Sequence, residues 1–226
     1  MAKKTGKLSY GGIRMIKVKD DLYRFTSFNE QINLSFHQYL LKTAEPILFH
    51  TGNVWQAQAL LPKLKELLDG VGLGYIFVSH FEADECGGLA LILGDYPEAR
   101  TICSEVTARQ LTGFGFDNEV IIKRPGEKLV GNSFELEFIS YPAEMHLWEG
   151  LLAVENQRGI LFSSDLMIRR GREVKPIIEV DWKTEISEIK SEQIPDPARL
   201  ARMQKELSQI QPALVAPGHG PCLGIK

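Results

Sequence analysis

Several short segments within the first eighty positions have apolar and polar patterns that are typical of β-strands. Residues 16–28 alternate on both sides of a turn-like Lys-Asp-Asp at 19–21, which predicts a hairpin. Two more strands are predicted at 34–41 and 47–50. The largely apolar run at 75–79 predicts a short strand that is buried within a sheet.

Other segments repeat their apolar residues at helical spacing or carry helix-start residues. Ser104 and Asp196 are predicted N-caps, because their side-chain oxygens can accept hydrogen bonds from the free N–H groups of a first turn. Pro62, inside the first of these segments, indicates a kink or a late start. The predicted helices are 55–69, 89–93, 104–111 and 197–210.

The second half of the chain shows a succession of predicted elements like that of the first half, with strands followed by a helix. The sequence therefore predicts two stacked mixed β-sheets flanked by helices, in a single domain over residues 1–226. We expect residues 1–12, which are polar and glycine-rich, to be loosely attached. The strands predicted beyond residue 100 are 101–103, 120–123, 134–139, 151–154, 159–163 and 214–216.

Composition excludes several classes of protein. The net charge is -3 and no sustained basic stripe occurs, which argues against a nucleic-acid partner. The chain shows neither the apolar core of a secretory signal nor the roughly 18–20 apolar residues of a membrane span, so we expect a cytoplasmic protein. Three widely spaced cysteines predict neither a disulfide framework nor a zinc–thiolate site, namely Cys86, Cys103 and Cys222.

Candidate chemistry follows the strand predicted at 75–79. His80, Glu82 and Asp84 stand at alternate positions directly after it, so that an imidazole and two carboxylates can converge on one centre. Ligands of this kind, without thiolate, favour iron or manganese over structural zinc. The same residues are also compatible with an acidic loop whose carboxylates face the N-terminus of the following helix.

Three further residues could join this group, and each has an ordinary structural explanation when it is taken alone. His146 could be a core or surface histidine, Asp165 a helix N-cap and His219 a turn residue. All three lie at or just past predicted strands, where α/β folds place their site residues. Their joint occurrence in this order favours a metal site.

The complete series resembles the metallo-β-lactamase superfamily. It consists of His80-x-Glu82-x-Asp84, His146, Asp165 and Pro217-Gly218-His219-Gly220. Hydrolases of that superfamily carry His-x-His-x-Asp-His, and the glutamate in place of the second histidine looks like the flavodiiron proteins, which reduce dioxygen or nitric oxide at a non-haem di-iron centre. The resemblance implies an α/β fold, the αββα sandwich.

The resemblance also implies roles for the residues. It assigns one of two iron ions to His80, Glu82 and His146, the other to Asp84 and His219, and the bridge between them to Asp165. The family's usual histidine after the aspartate is Glu85 here, which we expect to ligate a metal or hold a water molecule. His50 stands where many members carry an aspartate, and we interpret it as a residue that supports the ligands or the fold.

A flavodoxin-like domain, which flavodiiron proteins carry after this region, does not follow His219, so no flavin is expected in this chain. The chain then looks most like the oxygen-binding di-iron proteins, which are proposed to sense dioxygen. We expect a dioxygen sensor or a reductase that needs an external electron donor, with an electron-transfer or signalling protein as partner, in a homodimer. A dinuclear zinc or iron hydrolase and a metal-free structural protein are the alternatives.

Overall fold

A computed structural model of the chain describes residues 12–141 and 150–226. The prediction for residues 1–12 therefore falls almost entirely outside the described residues, and the predicted ligand His146 falls outside them completely. Within the described ranges, no helix combines the length and the apolar character needed to cross a membrane.

The first sheet contains the strands of the N-terminal half. Its order is β1-β2-β3-β4-β5-β6-β7; the first four strands pair antiparallel and the last four pair parallel, β4 belonging to both groups. The predicted hairpin and the strands that follow it are confirmed. The strands are β1 (Arg14–Lys19), β2 (Leu22–Asn29), β3 (Leu34–Leu41), β4 (Ile47–Phe49), β5 (Tyr75–Phe77), β6 (Arg100–Cys103) and β7 (Val120–Ile122).

The second sheet contains the remaining described strands, in the order β12-β14-β13-β11-β10-β9-β8. Sequence analysis did not predict β8, β12 and β14, which are three or four residues long and two of which form the edges of the sheet. The strands are β8 (Lys128–Val130), β9 (Glu135–Tyr141), β10 (Gly150–Glu155), β11 (Ile160–Ser164), β12 (Ile177–Val180), β13 (Leu214–Pro217) and β14 (Cys222–Ile225).

The helices begin where the sequence predicts caps. The Ser104 hydroxyl accepts a hydrogen bond from the Thr107 N–H, and the Asp196 carboxylate accepts from two N–H groups of its helix. Pro62 lies inside the first helix. The described helices are α1 (Val54–Leu68), α2 (Ala83–Cys86), α3 (Leu89–Asp95), α4 (Glu105–Gly113), α5 (Trp182–Ser187) and α6 (Pro197–Ser208), of which α2 and α5 were not predicted.

Three apolar layers hold the sheets and helices together. The two sheets meet across a core in which the rings of Phe49 and Phe162 stack with their centroids 3.5 Å apart. A second core joins the first sheet to α1, α3 and α4 and includes Leu60 and Ile92. A third joins the second sheet to α5 and α6 and includes Trp182 and Leu207. The predicted αββα sandwich is thus confirmed.

Candidate metal centre

Strand ends from both sheets bring the candidate ligands to one edge of the sandwich. His80 lies three residues after β5, Asp165 directly follows β11, and His219 lies two residues after β13. Strands β11 and β13 are parallel neighbours, with Ser164 opposite Pro217, so their C-terminal ends reach the same edge. The short helix α2, with Glu82 as its N-cap residue, carries Asp84 and Glu85 into the same place.

His80 faces three carboxylates. Its Nε2 atom lies 3.1 Å from Glu82 Oε2, 3.7 Å from Asp165 Oδ2 and 3.8 Å from Glu85 Oε2. His80 has no exposed surface, and Glu85 and Asp165 are also buried. Glu85, whose role the sequence left open, therefore belongs to this group by position.

His219 faces a second pair of carboxylates. Its Nε2 atom lies 3.3 Å from Asp165 Oδ1 and 3.5 Å from Asp84 Oδ2. Asp165 thus directs one oxygen toward His80 and the other toward His219. Because each oxygen of a carboxylate can serve a different ion, this arrangement suits a residue that bridges two metals. Asp165 lies in a turn where no helix starts, which removes the N-cap explanation.

The negative charges of this cluster favour the binding of a cation. Burial raises the pKa of Glu85 well above its ordinary value, and the charge of Asp84 raises it further. Burial and the charge of Asp165 also raise the pKa of Asp84. Burial would lower the pKa of His219, but the hydrogen bond and charge of Asp165 outweigh it and raise that pKa. Placing several carboxylates together in an interior is unfavourable unless cations neutralise them.

The donor atoms fit metal ions in number and type. Ligand atoms of His80, Glu85 and Asp165 lie within 4.8 Å of one another, and so do those of Glu82, Asp84 and Glu85. Oε2 of Glu85 is buried and has no hydrogen-bond partner in the part of the chain that the structure describes. Carboxylates combined with imidazoles suit iron or manganese. The structure therefore brings five of the six predicted ligands together, and His146 lies outside the described residues.

Ser79 is the centre of a buried hydrogen-bond network behind His80. Its hydroxyl lies 3.0 Å from Nδ1 of His80, 2.9 Å from Nε2 of His50 and 2.8 Å from the hydroxyl of Ser164. Burial lowers the pKa of His50 to about 3, so its ring is neutral at pH 7. The interpretation of His50 as a supporting residue agrees with this contact. Sequence reasoning missed Ser79 and Ser164, each of which directly precedes a candidate ligand.

Two residues of this network have left-handed backbone conformations. His50 has a φ of 62° and Ser164 a φ of 48°, although neither is glycine. Such conformations cost on the order of 1–3 kcal/mol each and concentrate at functional sites. At both positions the chain leaves the end of a strand, and the unusual turn brings the side chain to Ser79.

His219 is oriented in a comparable way by the first sheet. Its Nδ1 atom lies 2.8 Å from the carbonyl oxygen of Ser35, to which it donates when Nδ1 is protonated. That tautomer leaves Nε2 free to face Asp84 and Asp165, as is common for histidines that ligate metals. The Ser35 hydroxyl accepts a further bond from the Gly220 N–H at 2.9 Å and so fixes the turn.

The described residues on either side of 142–149, the range that contains His146, lie next to His80. Tyr141, the last residue of β9, packs its ring against that of His80 with centroids 5.4 Å apart. Gly150, the first residue of β10, passes so close that a Cβ atom there would lie 2.5 Å from the carbonyl oxygen of Ser79. Phe81, which directly follows His80, packs its ring against that of Phe114.

Comparison with known proteins identifies relatives that are similar in sequence to this chain. A "Putative diflavin flavoprotein A 2" from Nostoc sp. (strain PCC 7120) is 24% identical over 87% of this chain and 35% of its own length. The anaerobic nitric oxide reductase flavorubredoxin of Aliivibrio salmonicida is 26% identical over 70% of this chain and 32% of its own length. The chain thus spans about a third of the length of these relatives.

Solved structures of flavodiiron proteins have the same fold. The Flv1 flavodiiron core of Synechocystis sp. PCC6803 matches with a TM-score of 0.78 at 21% identity, over 94% of this chain and 57% of that one. The rubredoxin oxygen:oxidoreductase of Desulfovibrio gigas matches with a TM-score of 0.77 at 17% identity, over 93% and 57%. The predicted resemblance to the flavodiiron branch is confirmed. The model of the family described as "ODP family beta lactamase" matches residues 34–220, and the chain belongs to that family.

Proposed function

We propose that this chain is a non-haem di-iron protein that binds dioxygen, as a sensor or as a reductase that receives electrons from a partner. The observation that carries the proposal is Asp165, whose two carboxylate oxygens face two different histidines in a buried, carboxylate-rich site. A carboxylate placed in this way could offer one oxygen to each of two ions, as bridging ligands of two-metal sites do.

The proposed ligand sets are those that the family resemblance implies, and the contacts of the described residues support them. His80 and Glu82, together with His146, hold one ion, and Asp84 and His219 hold the other. Asp165 lies between the two sets. Glu85, buried beside His80, is the candidate for an additional ligand.

The chain's own residues have two tasks in this proposal. When bound, the two ferrous ions supply electrons to dioxygen. Glu82, Asp84 and Asp165 balance the charge of the ions with carboxylate oxygens, a donor type that suits iron. Ser79 and the Ser35 carbonyl orient the two histidines so that their Nε2 atoms face the site.

The names of the relatives support both dioxygen and nitric oxide as candidate ligands. The Desulfovibrio gigas protein is a rubredoxin oxygen:oxidoreductase, and the flavorubredoxin is a nitric oxide reductase. We propose dioxygen as the ligand here and a separate electron-transfer or signalling protein as partner. The homodimer stays a prediction.

The experiment uses protein purified without oxygen and loaded with ferrous iron. Full reduction of dioxygen to water takes four electrons, whereas a ferrous pair gives two when both ions become ferric. Stopped-flow absorbance should therefore show one rapid reaction with dioxygen and a visible spectrum that persists. An oxygen electrode should record continued consumption only after an electron-transfer protein and a nicotinamide donor are added.

Two results would contradict the proposal in different ways. Absence of any spectral response to dioxygen in iron-loaded protein would remove the dioxygen-binding function and favour a metal-dependent hydrolase. Rapid repeated turnover by the isolated chain with the nicotinamide donor alone would retain dioxygen chemistry but exclude the need for a partner. Metal analysis of the same sample supplies the iron-to-protein ratio against which both results are read.

A further inference from the structure

Tyr141 lies against the candidate metal centre although neither the motif nor the ligand sets include it. It ends β9, opposite Gly150 of β10, and its side chain is 2% exposed. Its ring meets the ring of His80 edge to face, with an interplanar angle of 73°. The residue is thus held at the inner wall of the site by the same strand pair that leads into the segment carrying His146.

The hydroxyl of Tyr141 has no hydrogen-bond partner among the residues that the structure describes. A buried hydroxyl without a partner is energetically unfavourable, so proteins usually satisfy such groups with a side chain, water or a ligand. A tyrosine hydroxyl keeps its proton at pH 7, since its ordinary pKa is about 10, and it is available as a donor.

We propose that the Tyr141 hydroxyl donates a hydrogen bond to the small ligand taken up at this site, and that it favours dioxygen over nitric oxide. The inference rests on the proposed function. Dioxygen draws more electron density from ferrous iron than nitric oxide does and becomes the stronger acceptor. Donors that face the ligand pocket decide dioxygen binding in haem proteins for the same reason. The histidine and carboxylate ligands donate electron pairs to the metals, and Tyr141 adds a neutral hydrogen-bond donor beside them.

The substitution Tyr141→Phe distinguishes hydrogen-bond donation by the hydroxyl from packing of the ring. Phenylalanine keeps the ring, and with it the edge contact to His80, and removes only the hydroxyl. The matched control is Tyr75→Phe, at the other end of the strand that leads to His80. Tyr75 is also buried, but its hydroxyl accepts a hydrogen bond from Arg100.

The first measurement is the melting temperature of the full-length, metal-free protein. Because the Tyr141 hydroxyl lacks a described partner, its removal should leave the melting temperature unchanged or raise it. Tyr75→Phe should lower it, since the Arg100 donor loses its acceptor. A clear fall for Tyr141→Phe would show that the hydroxyl makes a structural hydrogen bond and would overturn the inference.

The second measurement is the dissociation rate of dioxygen and of nitric oxide from iron-loaded protein. Tyr141→Phe should release dioxygen about ten-fold faster, the factor that corresponds to a net hydrogen bond of about 1.4 kcal/mol. The nitric oxide rate should change less than about three-fold, and Tyr75→Phe should match wild type for both gases. Equal rates in wild type and Tyr141→Phe, or an equal effect on the two gases, would overturn the proposed selectivity.

Two controls keep this inference separate from the proposed function. Iron content must be the same in wild type and Tyr141→Phe, and its loss in the variant would overturn the inference by showing that the hydroxyl supports the metals themselves. If wild type takes up no dioxygen, the proposed function fails. In that case, the affinity of the ferric protein for azide still tests whether the Tyr141 hydroxyl donates a hydrogen bond. Tyr141→Phe should weaken azide binding about ten-fold, and an unchanged affinity for azide would refute the hydrogen bond.

Discussion

The hydroxyl of Ser79 lies 3.0 Å from Nδ1 of His80, which leaves the other ring nitrogen of His80 to face the carboxylates of the candidate metal centre. The same hydroxyl contacts His50 and Ser164, so one buried oxygen joins the ends of three strands. Partners of this kind fix the orientation of a ligating histidine and typically contribute 10–100-fold to metal affinity.

Ser79→Ala should therefore weaken iron binding by about 10–100-fold without preventing folding. The matched control is Ser27→Ala, another buried serine of the first sheet, whose hydroxyl accepts a hydrogen bond from Gln56 at 2.8 Å. Competition with a chelator, followed by metal analysis, measures both variants. Equal iron retention by Ser79→Ala and Ser27→Ala would show that the network does not position His80.

Asp165→Ala and Asp84→Ala should differ in the number of ions that they release. Asp165 faces both His80 and His219, so its removal should disturb both metal positions. Asp84 faces His219, so its removal should weaken one position and leave about one ion per chain. The metal-to-protein ratios of wild type and both variants, measured by mass spectrometry, test this prediction. A wild-type protein with one zinc ion that is indifferent to Asp165→Ala would contradict the di-iron proposal.

Glu82→His should move metal preference from iron toward zinc. The substitution replaces an anionic oxygen, 3.1 Å from His80 Nε2, with a neutral nitrogen ligand. Uptake from an equimolar mixture of ferrous and zinc ions, followed by metal analysis, measures the preference. The control is Glu105→Gln, which removes an exposed carboxylate of α4 that pairs with Arg109. Unchanged selectivity in Glu82→His would mean that this position does not determine the metal.

Glu173→Gln should lower the free energy of unfolding by about 3–5 kcal/mol, because it leaves the fully buried guanidinium of Arg24 without its charge partner. The same carboxylate lies 2.8 Å from Nε2 of His37. Glu30→Gln is the exposed control, since its partner Arg172 is also exposed, and it should cost at most about 1 kcal/mol. Urea denaturation measures both, and similar losses would show that the buried pair contributes no more than the exposed one.

Local sequence signals predicted the elements that depend on local physics. Ser104 and Asp196 cap the helices that they were predicted to start, because capping involves N–H groups two or three residues away. The alternation at 16–28 predicted the hairpin, because side chains point to opposite faces at every second residue. The helix α5 and the edge strands β8 and β12 were missed, since they are three to six residues long and too short for a periodic pattern.

The sequence by itself determined the chemistry available to this protein, since the order and type of its histidines and carboxylates indicate a metal pair and a family. Only the tertiary structure decided which side chains support that chemistry. The contact of Ser79 with Ser164 joins residues 85 positions apart, and the position of Glu85 beside His80 depends on how α2 turns after β5. The placement of Tyr141 at the candidate metal centre depends on the packing of the end of β9 against His80. Such contacts depend on how two sheets pair and stack, and no local pattern along the chain encodes that geometry.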